Sequence, residues 1–223
     1  MKISDLKKSF ENFSLNIENL DVPGGRVYGI IGPNGCGKTT AMKLMAGIIE
    51  PDCGDIDRDG LTPLEITMVF RKPYLLHDTV LRNLIYPLKI RKITPDRALV
   101  DYYLEMAGLQ NIRDQYALGL SGGEQQKLAL IRALILSPKL IFIDEAFSNM
   151  DIKSVACFEE HISSMQKTKP ITWVIVSHQL SNIKRLCEYV YFMHEGAIKV
   201  SGPTNDVLTA PQDYDLKQYL QYM

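Results

Sequence analysis

The sequence predicts an α/β fold with a mostly parallel central sheet and an inserted helical segment. Three observations lead there. Residues 27–31, 140–143 and 173–176 are short continuous apolar runs, the pattern of parallel strands buried on both faces. A glycine-rich loop leaves the first of these runs and enters a helix-spaced segment directly. From Asp78 to about Leu118 the strand rhythm stops and helical spacing replaces it.

Taken in order, Phe13-Ser14-Leu15-Asn16-Ile17 alternates apolar and polar residues as a half-buried strand does. Asp21-Val22-Pro23-Gly24-Gly25 marks a turn before the strand at 27–31. After the glycine-rich loop, residues 41–46 are helix-spaced and Gly47 is placed to stop them. Residues 66–70 form another buried strand. Thr94-Pro95 reads as an N-cap with a first-turn proline, and Gly108 as a stop. A helical run at 126–136 precedes the strands at 140–143 and 173–176. Residues 189–193 and 197–200 flank Glu195-Gly196 as a hairpin would, and 214–222 is a short helical pattern.

With 223 residues the chain can build one large core, and 1–223 reads as a single unit with 75–118 as the insertion. Hydrophobic residues make up 46% and charged residues 23%, with no biased tract, so the composition is that of a soluble globular protein. A formal net charge of −1 lacks the basic footprint of a nucleic-acid binder, and Lys89, Arg91 and Lys92 read as a solvated helix face. Cys36, Cys53, Cys157 and Cys187 are far apart and show no metal-ligand spacing, as expected of reduced thiols in a cytosolic protein. The start MKISDLKKSF has charges where a secretory signal needs an apolar run, and no stretch approaches the ~18 apolar residues of a membrane span. Any action at a membrane is expected to go through partners.

Gly32-Pro33-Asn34-Gly35-Cys36-Gly37-Lys38-Thr39-Thr40 contains G-x-x-x-x-G-K-[ST] in its required setting, after a strand and before a helix. Glycines there let backbone N–H groups curl around phosphate oxygens, and the helix N-terminus adds a favourable dipole. Lys38 supplies a point charge to the terminal phosphates of a nucleotide, and the Thr39 hydroxyl can ligate Mg²⁺. A thiol beside a helix N-terminus can be reactive, although a small side chain tolerated in the loop explains Cys36 more simply.

Leu120-Ser121-Gly122-Gly123-Glu124-Gln125 precedes the helical run. Ser121 and Glu124 form a capping box, but capping does not call for two glycines in a first turn. Paired glycines instead let a second molecule's phosphate approach. The strand at 140–143 ends in Asp144-Glu145. Asp144 is placed to hold the Mg²⁺ shell and Glu145 to orient or deprotonate the attacking water. His178, just after the strand at 173–176, could contact the terminal phosphate or place that water.

These residues together resemble the ABC ATPase family over nearly the whole chain. GPNGCGKT is similar to its Walker A motif, LSGGEQ to its signature, LIFIDE to its Walker B motif with Glu145 as the catalytic glutamate, Ser148-Asn149-Met150-Asp151 to its D-loop, and His178 to its switch histidine. The resemblance implies a phosphate-loop NTPase fold with an antiparallel N-terminal β-subdomain, and hydrolysis of ATP with Mg²⁺. It implies a head-to-tail dimer in which ATP on Lys38 of one subunit is covered by Ser121, Gly122, Gly123 and Gln125 of the other, with Asp151 close by. Phe10, with Phe13 as second choice, is the aromatic expected to stack on adenine. Transmembrane permease subunits would be direct partners and a solute-binding protein an indirect one, with the chain peripheral on the cytoplasmic face of the membrane and no nucleic acid involved.

One position departs from the pattern. Val69-Phe70-Arg71-Lys72-Pro73-Tyr74 aligns with the Q-loop, where the family has glutamine and this chain has Arg71. A guanidinium accepts no hydrogen bond and ligates no cation. Arg71 is therefore expected to point away from Mg²⁺, to pair with a γ-phosphate oxygen, or to weaken the site. The segment FRKPYLL and the short chain resemble bacterial oxyanion importers of the tungstate and molybdate kind. Two alternatives stand beside the importer motor: a regulatory or degenerate ABC subunit, and a soluble ABC ATPase acting on nucleic acid or the ribosome.

Overall fold

The computed structural model describes residues 1–222. Two sheets organise it. Strands β1 (Lys2–Phe10), β2 (Phe13–Asp21) and β4 (Cys53–Asp57) form a three-stranded antiparallel sheet in the order β2-β1-β4. Strands β3 (Val27–Ile31), β5 (Ile66–Val69), β6 (Leu140–Asp144), β7 (Thr172–Val176), β8 (Tyr189–His194) and β9 (Ala197–Pro203) form the main sheet, ordered β5-β6-β7-β3-β8-β9. All its pairings are parallel except the β8-β9 hairpin. The helices are α1 (Lys38–Met45), α2 (Val80–Ile90), α3 (Arg97–Met106), α4 (Gly122–Leu134), α5 (Ile152–Thr168), α6 (Leu180–Leu186), α7 (Thr204–Thr209) and α8 (Tyr214–Gln221).

The parallel strands are apolar at nearly every position because each divides its side chains between two cores. Ile141 and Ile143 of β6, Trp173 and Ile175 of β7, and Val190 and Phe192 of β8 join one core, which also takes in α2, α3, α4 and α5. Leu140 and Phe142, Val174 and Val176, and Tyr191 and Met193 face a second core beneath α1 and the antiparallel sheet. The period of two is intact; both faces are covered.

The structure departs from the sequence pattern in several places. Strands β1 and β4 carry no clear strand signal, since only Ile3 and Leu6 of β1 are buried and β4 has an almost wholly exposed pattern. The start of α3 lies two residues past Thr94-Pro95, because Asp96 is the cap: its carboxylate accepts from the Ala98 N–H at 2.9 Å. The 17-residue α5 lacks a sequence signal because it buries only Val155, Phe158 and Ile162. The α4 helix begins at Gly122 rather than 126, since Ser121 caps it.

The hairpin turn matches its sequence closely. Glu195 and Gly196 both have positive φ, 47° and 76°, as a type I′ turn requires. A Cβ on Gly196 would lie 2.1 Å from the Ser14 carbonyl oxygen, so the turn locks the hairpin onto β2; at Gly60, whose φ is 73°, it would meet nothing. Alanine is therefore expected to destabilise the protein by about 1 kcal/mol at position 60 and about 2–4 kcal/mol at position 196. Urea unfolding of the two variants checks this, and equal losses would contradict it.

Candidate functional site

The parallel strands β3, β6 and β7 all end on one side of the molecule, and the sequence places a chemical group at each end. The loop after β3 enters α1, whose N-cap Gly37 has φ 106° and whose first turn has no side-chain cap. The first N–H groups of a helix have no intrahelical partner, so these are left to a ligand. The loop cannot carry larger residues at Gly32 or Gly37, where a Cβ would fall 2.0 Å from the Met193 carbonyl oxygen and 2.6 Å from the Phe13 ring. Gly35, with φ 80°, faces open space.

Lys38 is buried, and its Nζ donates to the carbonyls of Gly32 and Pro33, both at 2.7 Å. Cys36 lies beneath the loop with its Sγ 3.9 Å from Nζ. Burial pushes the Cys36 thiol up despite the ammonium beside it. That shift opposes the reactive-thiol reading and fits a small side chain packed under the loop.

Residues 105 apart in sequence meet where Thr39 Oγ1 donates to Asp144 Oδ2 at 2.8 Å. Asp144 is buried, and its Oδ1 has no hydrogen-bond partner among the described residues. Burial raises its carboxyl, the Thr39 bond opposes that, and the Glu145 charge adds to the rise. Glu145 follows with φ 52°, a left-handed conformation strained for a glutamate and fixed by its N–H donating to the Val176 carbonyl at 2.9 Å. This turn carries the buried carboxylate to His178, whose Nε2 lies 2.5 Å from Oε1. Arg71 Nε lies 3.1 Å from Oε2, yet no N–H is aligned on that oxygen, so the pairing is one of charge. Asp144, Glu145, His178, Arg71 and Thr39 thus form one connected cluster, with Lys38 next to Thr39 in the chain.

The remaining candidates stand apart from it. Phe10 is half exposed at the end of β1, stacked on Phe13 with ring centroids 6.3 Å apart, and Phe13 lies against Gly37. Among the described residues the Ser121 side chain hydrogen-bonds only with Glu124, in a complete capping box. The two signature glycines differ in purpose. Gly122 borders open space, whereas a Cβ on Gly123 would sit 2.7 Å from the Asn149 carbonyl oxygen, so close packing alone requires that glycine. Gln125 donates to the Leu120 carbonyl at 3.1 Å. Asp151 caps α5 through the Ser154 N–H and hydroxyl at 2.9 and 2.6 Å, which lower its carboxyl to a pKa of about 2.

Two residues that sequence reasoning missed hold the segment carrying Arg71. Gln126, buried on α4, donates to the Phe70 carbonyl at 3.1 Å. Asn83, buried on α2, donates to the carbonyls of Leu76, Asp78 and Thr79 and accepts from the Leu76 N–H. Their only signal is a polar side chain at a core-facing helix position.

A phosphate loop, an acidic strand end and a histidine at neighbouring strand termini define the class as a phosphate-loop NTPase. The chain belongs to the ABC transporter family, whose profile matches residues 15–148. It is 34% identical over 203 residues to the tungstate uptake system ATP-binding protein TupC of Peptoclostridium acidaminophilum, covering 88% of this chain and 95% of the relative. It is 31% identical to the molybdate/tungstate import ATP-binding protein WtpC of Pyrococcus horikoshii, covering all of this chain and 67% of that one. The Fe(3+) ions import ATP-binding protein FbpC of Vibrio cholerae is 32% identical, and this chain spans only 65% of its length. Among solved structures, an ATP-binding subunit of an ABC transporter superposes with a TM-score of 0.85 at 23% identity, covering 99% and 98% of the two chains. The cbiO1 protein of Clostridium perfringens, described as part of the ABC transporter complex cbiONQ, gives 0.77 at 26% identity over 94% and 90%. The chain is an ATP-binding ABC ATPase, and its relatives are ATP-binding subunits of import systems.

Burial of the Asp144 carboxylate disfavours its charged form in the fold, so its folded pKa is raised and the stability penalty grows as pH rises through that value. Asp144→Asn is expected to raise Tm by about 2–4 °C at pH 8, with a smaller gain near pH 4, where the unfolded carboxyl itself begins to protonate, while abolishing hydrolysis. Thermal melts at the two pH values check the sign.

Proposed function

We propose that this chain is the motor of an oxyanion importer of the tungstate type, working as a head-to-tail pair beneath two permease subunits. The observation that supports hydrolysis is the Thr39–Asp144–Glu145–His178 contact chain at the strand ends. In this reading the amides of the loop and Lys38 hold the ATP phosphates. Thr39 and Asp144 offer hard oxygen donors, and the orphaned Asp144 Oδ1 fits a hard divalent cation, which these two residues would hold. Bound there, Mg²⁺ would neutralise charge between the β- and γ-phosphates. Glu145 orients water and takes its proton, and His178 fixes the carboxylate from its other side.

Phe10 supplies the ring against adenine, since Phe13 is engaged with Gly37. The second copy contributes Ser121, Gly122, Gly123 and Gln125 over the γ-phosphate, with Asp151 at the seam. The open space at Gly122 and the exposure of Ser121 support that arrangement. The insertion at 75–118 is the docking lobe. Between it and the core runs an apolar groove lined by Phe70, Tyr74, Tyr86, Pro87 and Ile90, immediately beside Arg71. Tyr74 is 79% and Ile90 61% exposed. No described helix is long and apolar enough to cross a membrane, and a peripheral place on the cytoplasmic face follows from docking to a permease. Tungstate-type cargo rests on the relatives alone, and no residue here would touch it.

Steady-state assays are expected to show ATP hydrolysis that Glu145→Gln lowers by at least about 100-fold, with ATP binding retained. In ATP and Mg²⁺ that variant should elute as a dimer on size exclusion. Glu145→Gln turning over at the wild-type rate would reject the assignment.

A further inference from the structure

We propose that Arg71 is a positioning residue that exchanges anions, pairing with Glu145 in the nucleotide-free chain and moving to the terminal phosphate when ATP binds. The inference rests on the ATPase reading of the site and adds a residue to it. Both carboxylate oxygens of Glu145 face cationic or polar side chains, His178 at 2.5 Å and Arg71 at 3.1 Å. A carboxylate held this way is poorly placed to accept a proton from water. The two contacts differ in kind. Glu145 Oε2 is buried and receives no aligned N–H, so the guanidinium holds it by charge alone.

Arg71 is built to move. Its side chain is 67% exposed. The backbone on either side is anchored, Phe70 by Gln126 and the stretch from Leu76 to Thr79 by Asn83, which leaves the arginine on a short tethered span. The phosphate loop is close at hand, because Thr39 is bonded to Asp144 and Asp144 adjoins Glu145. A terminal phosphate seated on that loop presents several oxygens and more charge than one carboxylate, and it suits the fork of a guanidinium better. Departure of Arg71 frees Oε2 as the phosphate arrives. A glutamine at this position has no charge to exchange.

The experiment is isothermal titration of the β,γ-imido analogue of ATP and of ADP, with Mg²⁺, into four proteins: wild type, Arg71→Gln, Glu145→Gln and the double variant. The preference for the triphosphate is expected to fall about tenfold in Arg71→Gln, and Arg71→Lys should fall between that variant and wild type. Glu145→Gln should raise the preference at least about threefold more with Arg71 present than in the Arg71→Gln background. Relief of carboxylate–phosphate repulsion is common to both backgrounds, so the difference reports the exchange. Additive effects, or an unchanged preference in Arg71→Gln, would overturn the exchange while leaving the ATPase intact. Wild type that binds no analogue would overturn the ATPase reading itself. The exposed Arg71 side chain contributes little to folding, and equal melting temperatures of wild type and Arg71→Gln verify it.

Discussion

The hydrogen bond from Thr39 to Asp144 is the contact on which the site depends. It joins the first turn of α1 to the end of β6 across 105 residues, and no local propensity could produce it. What produces it is the parallel sheet. With β3 and β6 held on either side of β7, their ends open together, so the loop after one and the carboxylates after the other must be neighbours. Ligand sites at the carboxyl ends of parallel strands follow from this geometry. The two apolar cores keep the strands in register, and the β8-β9 hairpin braces them against β2.

From that bond the chemistry spreads outward through increasingly exposed groups. Asp144 is buried with one unpartnered oxygen, Glu145 is buried in a strained conformation, His178 is partly exposed and Arg71 mostly exposed. Burial makes the Asp144 carboxylate costly to ionise and so poised for a cation. The outer contact stays adjustable, because Arg71 is largely exposed and solvent screens its side of the pair. Stability and function pull against each other at Asp144 for the same reason.

Much of this was legible in the sequence wherever one residue type answers one physical demand. Glycine at positions of positive φ, a lysine and threonine opening a helix, and apolar runs ending in acids marked the parallel strands and the cluster around Lys38, Asp144 and Glu145. The exposed antiparallel strands were harder, since β4 presents almost no buried face, and α5 buries only three residues. The reason for Gly123 was invisible because it lies in the Asn149 carbonyl, a tertiary contact. Gln126 and Asn83 looked like ordinary helix residues until their backbone partners came into view. Arg71 stood out as a departure from the family pattern, but its partner Glu145 could be found only in three dimensions.

The Ser121 side chain spends its hydrogen bonds on Glu124, and among the described residues none reaches the phosphate loop of its own chain. On the proposed head-to-tail arrangement, each copy carries halves of two different sites, Lys38 for one and Ser121 for the other. Mixing two defective variants tests this most directly: Lys38→Ala, which loses the phosphate contact, with Ser121→Arg, which blocks the opposite face. Each alone should be silent, and the mixture should recover hydrolysis, since one of its two composite sites is assembled from intact halves. A mixture as silent as its components, or a Ser121→Arg protein active by itself, would contradict the shared site.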